Sequence, residues 1–164
     1  MKPMSKIVTT VTDVIIWFIL TFGIYIVLHG HLTPGGGFQG GAVLASAVAL
    51  FVVAYGKDRA RAYLSKNFYS VVECLGLVLF TIVGFAGMKA TFLYNLLAGT
   101  GGLFGNVVTQ GVNPGDLNTA GIIPILNVGI GLEVVGGLSL IVISMLWGLW
   151  DVFGVHEERG GIDV

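Results

Sequence analysis

Three ionisable residues, Glu73, Lys89 and Glu133, stand within apolar sequence, as does Asp13 low in the first such run. A charge surrounded by hydrocarbon is costly, so such groups face protein or water and by default mark ion paths, proton relays or interhelical pairs. At 100° per residue, Leu126, Gly129, Gly136, Gly137, Leu140 and Ser144 fall within about 60° of Glu133. Its carboxylate therefore projects from a stripe of mostly small residues toward a neighbouring helix. Two readings stay open for it: a carboxylate in a proton or cation path, and a protonated acid hydrogen-bonded across a helix interface. Glu73 shares a face with Gly76, Gly84 and Gly87 and also points toward protein. Its expected place just inside a helix end favours a hydrated, snorkelling charge over a path residue. Lys89 follows sixteen residues later, roughly 160° around the same helix, so it cannot pair with Glu73. It lies on a bulky face with Ile82, Phe85 and Leu93, where snorkelling, a salt bridge to a partner chain and a translocation role are all open. Asp13, with Thr9, Thr10 and Thr12 beneath it, is expected at the membrane interface.

Histidine and cysteine chemistry is more limited. His29 and His31 are two apart, but no third or fourth ligand accompanies them and His156 belongs at the opposite side, which argues against a zinc site. A titrating histidine beside a proton path fits His31 better, because imidazole changes charge near neutral pH. Cys74 is the single cysteine, so a disulfide framework and a multi-cysteine cluster are excluded within the chain. The run His29-Gly30-His31-Leu32-Thr33-Pro34-Gly35-Gly36-Gly37-Phe38-Gln39-Gly40-Gly41 contains a GxGxxG match at Gly35, Gly37 and Gly40. That fingerprint needs a preceding strand in a βαβ unit, and membrane helices flank it here, so nucleotide binding is not expected. The stretch is built to bend: Pro34 is expected to stop the preceding helix, and the glycines reach backbone angles closed to other residues. Amides exposed at the following helix start could attract an anion or order water. Irregular backbone near a membrane is tolerated where it is buried in protein or lines a hydrated cavity, so the turn is an interaction surface or part of an ion path.

The elements that must position these groups follow from composition. Of 164 residues, 55% are hydrophobic and 10% charged, against roughly 25% charged in soluble domains, and mean hydropathy is +0.91. A net charge of −1 gives no sign of a nucleic-acid partner. Four runs are long enough to span a bilayer, at about 20 residues each: residues 7–28, 38–55, 70–94 and 122–150. They predict an all-α integral membrane domain covering 1–164, with a short tail at 151–164. The first run lacks a small-residue cleavage site and three more follow it, so it reads as a retained span rather than a signal peptide. Lys2, Lys6, Lys57, Arg59, Arg61, Lys66 and Arg159 all fall on one side of this plan, while Asp116 is the clear loop charge on the other. The positive-inside rule then puts both termini in the cytoplasm, and Trp147 and Trp150 suit that same interface. Gly37, Gly41, Ala45 and Ala49 recur every four residues in the second span, a small-residue ladder for close helix contact. The loop 95–121 is glycine-rich and nearly uncharged; it either packs on another surface or dips into the membrane.

The segment Gly30-His31-Leu32-Thr33-Pro34-Gly35-Gly36-Gly37-Phe38-Gln39-Gly40-Gly41 resembles the signature of the MnhB/MrpB-type subunit of multisubunit Na+/H+ antiporters. Gly121-Ile122-Ile123-Pro124 and Asn127-Val128-Gly129-Ile130-Gly131-Leu132-Glu133-Val134 resemble that family's final helix, so the likeness covers nearly the whole chain. The resemblance implies a non-catalytic subunit of a cation/proton-translocating assembly in the cell membrane, packed against other membrane subunits, with Na+ and H+ as the ions moved. Related subunits also occur in energy-converting complexes such as archaeal membrane-bound hydrogenases and sulfur-reducing relatives. Any redox chemistry would then belong to other subunits, since this chain carries no CxxC motif or cluster ligands and no cofactor is expected in it. Glu133, Glu73, Lys89 and His31 are the ion-path candidates; Pro34, Gly35, Gly36, Gly37, Gly40 and Gly41 are the expected structural turn. A purely structural assembly role is the alternative. A stand-alone enzyme or channel is disfavoured, because few polar groups converge within the chain.

Overall fold

The computed structural model describes residues 3–88, 91–108 and 115–159, with side chains described as far as residue 148. Four helices follow one another: α1 (Lys6–Leu28), α2 (Gly36–Tyr63), α3 (Lys66–Ala86) and α4 (Ile123–Arg159). Each contains a stretch long and apolar enough to cross a membrane. α4 continues through most of the expected tail, to Arg159.

Local chemistry sets the boundaries. Ser5 caps α1, its hydroxyl accepting from the Val8 N–H at 3.4 Å. α1 ends at Leu28, where expected, but not because of Pro34. The chain leaves the helix at His29 and curls through Leu32 and Thr33 N–H bonds to the His29 carbonyl, at 2.9 and 3.1 Å. Pro34 comes afterwards and is exposed. Gly35 then opens α2 at φ 122°, a conformation closed to residues with a Cβ.

α2 outruns the expected span. It breaks at Gly56 (φ 73°, ψ 177°) and resumes as a short helix to Tyr63, so the basic stretch read as loop is helical. The third span differs at both ends: α3 starts four residues earlier than expected and stops eight residues earlier. After Gly87 the chain doubles back, and the Leu93 N–H bonds the Gly84 carbonyl at 3.2 Å. A Cβ at Gly84 would lie 2.7 Å from the Phe92 ring, and at Gly87 it would collide with the Tyr94 backbone. Hydrophobicity continues through this fold-back, which is why the apolar run overstates the helix.

The helices lie in the order α1–α2–α4–α3. α1 packs on α2 and touches α4 lightly, α4 lies between α2 and α3, and α3 meets α4 alone among the described helices. Contacts are made backbone to backbone over glycine, as membrane helices do in place of a water-driven core. Gly40 of α2 sits against Val27 and the Gly23 carbonyl of α1. Gly37 and Gly41, the first rungs of the predicted ladder, instead face Asn127, Ile130, Gly131 and Val134 of α4. Ala45 is buried and Ala49 half-buried. α2 therefore carries small residues on two faces and is clasped from both.

The loop between α3 and α4 folds over the end of the bundle. Its polar groups largely satisfy one another: Asn118 accepts from the Phe104 N–H at 2.6 Å, and Asn106 donates to the Asp116 carboxylate at 3.1 Å. Asn95 bridges the Ala120 carbonyl and the Ile122 N–H, at 3.0 Å each. Its apolar side chains Phe104 and Leu117 share a cavity of about 230 Å³ with Leu28, Leu79, Pro124 and Val128. The described part of this loop thus packs on the helix ends.

Candidate functional site

Glu73 and Glu133 lie on one seam between α3 and α4. A Cβ at Gly76 of α3 would meet the Gly129 carbonyl at 2.5 Å and the Glu133 Cα at 3.0 Å. On the other side, a Cβ at Gly136 of α4 would lie 2.6 Å from the Glu73 nitrogen and 2.8 Å from its Cα. Glu73 and Gly136 are thus level with each other, as are Gly76 and Glu133, and the two acids sit about one turn apart along an antiparallel pair. The Glu73 carboxylate lies beside Gly137, its Oε1 3.3 Å from where a Cβ would stand. Both glutamates are half-buried. Neither has a hydrogen-bond or ion-pair partner among the described residues. The earlier start of α3 also moves Glu73 inward: it is the eighth residue of the helix, about 10 Å from its first.

His31 lies elsewhere, in the turn between α1 and α2. Both its ring nitrogens are buried without a well-formed hydrogen bond among the described residues. Burial, then the charge of neighbouring His29, lower its pKa from the usual 6.5, while Leu117 and Asp116 of the covering loop pull weakly the other way. Asp116 is held below the ordinary carboxylate range by the Asn118 N–H and the Asn106 amide. The Asn127 side chain is wedged into the same turn: a Cβ at Gly30 would meet its Nδ2 at 2.8 Å, and one at Gly36 its Oδ1 at 2.8 Å. Nδ2 is buried with no acceptor among the described residues. Asn127 does not stand out as a site residue from sequence; a lone amide one turn into an apolar span is the only signal that points to it.

Lys89 falls outside the described residues. Asp13 is not a bare interfacial charge, since the Tyr55 hydroxyl of α2 donates to its carboxylate. No group of three or more metal-ligating side chains occurs among the described residues. At the end where α2 gives way to α3, Lys57, Arg61 and Lys66 gather around Trp147 of α4. The Arg61 guanidinium lies 5.3 Å and the Lys66 ammonium 4.3 Å from the centre of a Trp147 ring.

Comparison with known proteins agrees with this architecture. Residues 7–140 match the model of a domain related to the MnhB subunit of Na+/H+ antiporter. An uncharacterised protein of Methanocaldococcus jannaschii is 40% identical over 73% of this chain and 44% of its own length. A Na+/H+ antiporter subunit of Bacillus subtilis is 37% identical over 51% of this chain and 57% of its own. Among solved structures, a chain of the membrane-bound sulfane sulfur reductase, an archaeal respiratory membrane complex, superposes with a TM-score of 0.69 at 34% identity, covering 87% of this chain and 58% of that one. The chain thus spans about half the length of these relatives. With its four apolar helices it is a multi-pass membrane protein, and it belongs to the family of domains related to the MnhB subunit of Na+/H+ antiporters.

Proposed function

We propose that this chain is a non-catalytic subunit of an antiporter-type assembly in the cell membrane, and that the α3–α4 seam contributes carboxylates to its Na+ or H+ path. The observation that carries the reading is the placement of Glu73 and Glu133 about one turn apart along a glycine-lined contact, without partners among the described residues. Two acids at that spacing can pass a proton or share a cation with bridging water, and ionisable groups at membrane depth default to such roles. His31, half-buried and disfavouring its own proton, suits a gate or relay at the loop-covered end, within the electrostatic reach of Asp116. The concentration of Lys and Arg at the other end supports a cytoplasmic location for both termini. The family and the relatives support neighbouring membrane subunits as partners, in a stand-alone antiporter or in a respiratory complex.

The test is ion exchange by the assembly reconstituted into vesicles, followed with a pH-sensitive dye under an imposed Na+ gradient. Glu133→Gln and Glu73→Gln are each expected to lower the exchange rate by about tenfold or more, with all subunits still assembled. Full exchange by the double variant would make the seam purely structural.

A further inference from the structure

The basic end of the molecule holds a second kind of site. Just beyond the Gly56 break, a cavity of about 590 Å³ opens between the last helical turns of α2, the start of α3 and the end of the α4 span. Lys57, Arg61 and Lys66 line it together with Asp58, Ser144 and Trp147, so among the described residues three cations face one acid. The size is that of a small-molecule site.

Three features specify what it would take. The cations converge because Gly56 turns the short helix away from the axis of α2; a straight helix would direct Lys57 and Arg61 differently. Lys57 and Arg61 also engage other partners within the chain, but an ammonium has three donors and a guanidinium five, which leaves capacity for an oxyanion. The lining includes Ala62, Leu146 and the Trp147 ring beside the charges, and the indole N–H is buried with no acceptor among the described residues. An occupant with an anionic phosphate head and an attached apolar chain satisfies all three. A free phosphate would leave the apolar lining unused.

We propose that this cavity binds the headgroup of an anionic phospholipid at the ends of the spanning helices. Basic pockets between membrane helices retain acidic lipids through charge-assisted hydrogen bonds to phosphate. The lipid would tie α2, α3 and α4 together at an end where α3 otherwise meets α4 alone among the described helices.

Native mass spectrometry of the detergent-solubilised assembly, reading the lipid carried by this chain on ejection, tests the assignment. Phosphatidylglycerol is expected to be retained at least about tenfold more than phosphatidylcholine, and the triple variant Lys57→Gln, Arg61→Gln, Lys66→Gln to lose that preference. Lys6→Gln, at the same end outside the cavity, should keep it. If the triple variant does not assemble, Arg61→Gln and Lys66→Gln singly should each weaken retention a few-fold. Equal retention of the two lipids, or phosphatidylglycerol binding unchanged in the variants, would overturn the proposal. So would displacement of the lipid by millimolar inorganic phosphate, which would mark a free-anion site. Retention by the isolated full chain but not by the assembly would identify an acidic segment of another subunit as the occupant and end the lipid assignment.

Discussion

Protonating His31 would put a charge into a turn where burial and His29 outweigh the favourable pull of Leu117 and Asp116. Because burial and then His29 hold its pKa below 6.5, the unfolded chain takes up this proton more readily than the folded one. Stability therefore rises with pH between the folded and unfolded values and is lost as pH falls below about 6.5. Hydrogen exchange at residues 29–36, corrected for its intrinsic pH dependence, is expected to accelerate between pH 7 and pH 5, and His31→Gln should flatten that dependence. Asp116 acts in the same direction at lower pH. Its depressed pKa contributes stability that is complete above the ordinary value near 3.8 and disappears only at still lower pH. The two groups titrate in separate windows, so the experiment distinguishes them.

The helices are held by what their glycines leave out. Gly76→Ala would set a methyl against the Gly129 carbonyl and the Glu133 backbone, neither of which can rotate away, and overpacking of this kind costs about 1–3 kcal/mol. Gly148→Ala meets nothing within 4 Å among the described residues and is expected to be neutral or to stabilise by up to about 1 kcal/mol. Thermal melts of the two variants in detergent check the contrast. Gly56→Ala should cost about 1–3 kcal/mol for a backbone conformation that side chains rarely adopt, or else straighten α2. Spin-label distances between residues 44 and 62 tell which occurs. These seams also define what sequence could disclose. Four spans were legible because hydropathy reads length and polarity. The end of α3 was not, because Phe92 and Leu93 are as apolar in a fold-back as in a helix. That Glu73 and Glu133 lie on glycine-lined helix faces was legible from Gly76, Gly129 and Gly136 around them. That they share one seam was not, because helical periodicity gives the face a residue occupies and never the identity of the neighbour. Asn127 was hidden for a related reason: its partners, Gly30 and Gly36, are more than ninety residues away.

At the scale of the molecule, α1 and α3 form the two flanks, and large apolar side chains cover them: Ile7, Trp17, Phe18 and Phe22 on α1, Phe68, Leu75, Leu77 and Ile82 on α3. In a bilayer these surfaces meet lipid or another subunit. With Cys74 replaced by serine, single cysteines at Leu75 and Ile82 should react with a membrane-permeant maleimide in the isolated chain; protection by about tenfold in the assembly would map a subunit contact on α3. Unchanged labelling would leave that flank to lipid. The break at Gly56 has one more meaning. From Gly36 to Tyr55, α2 runs straight for about 30 Å, the thickness of the hydrocarbon layer, and then a single backbone angle ends it. α3, from Lys66 to Ala86, has nearly the same length. Gly56 thus acts as a ruler mark: the membrane thickness for which this chain is built is written into where a glycine interrupts a helix, and a thicker bilayer would have to thin around it.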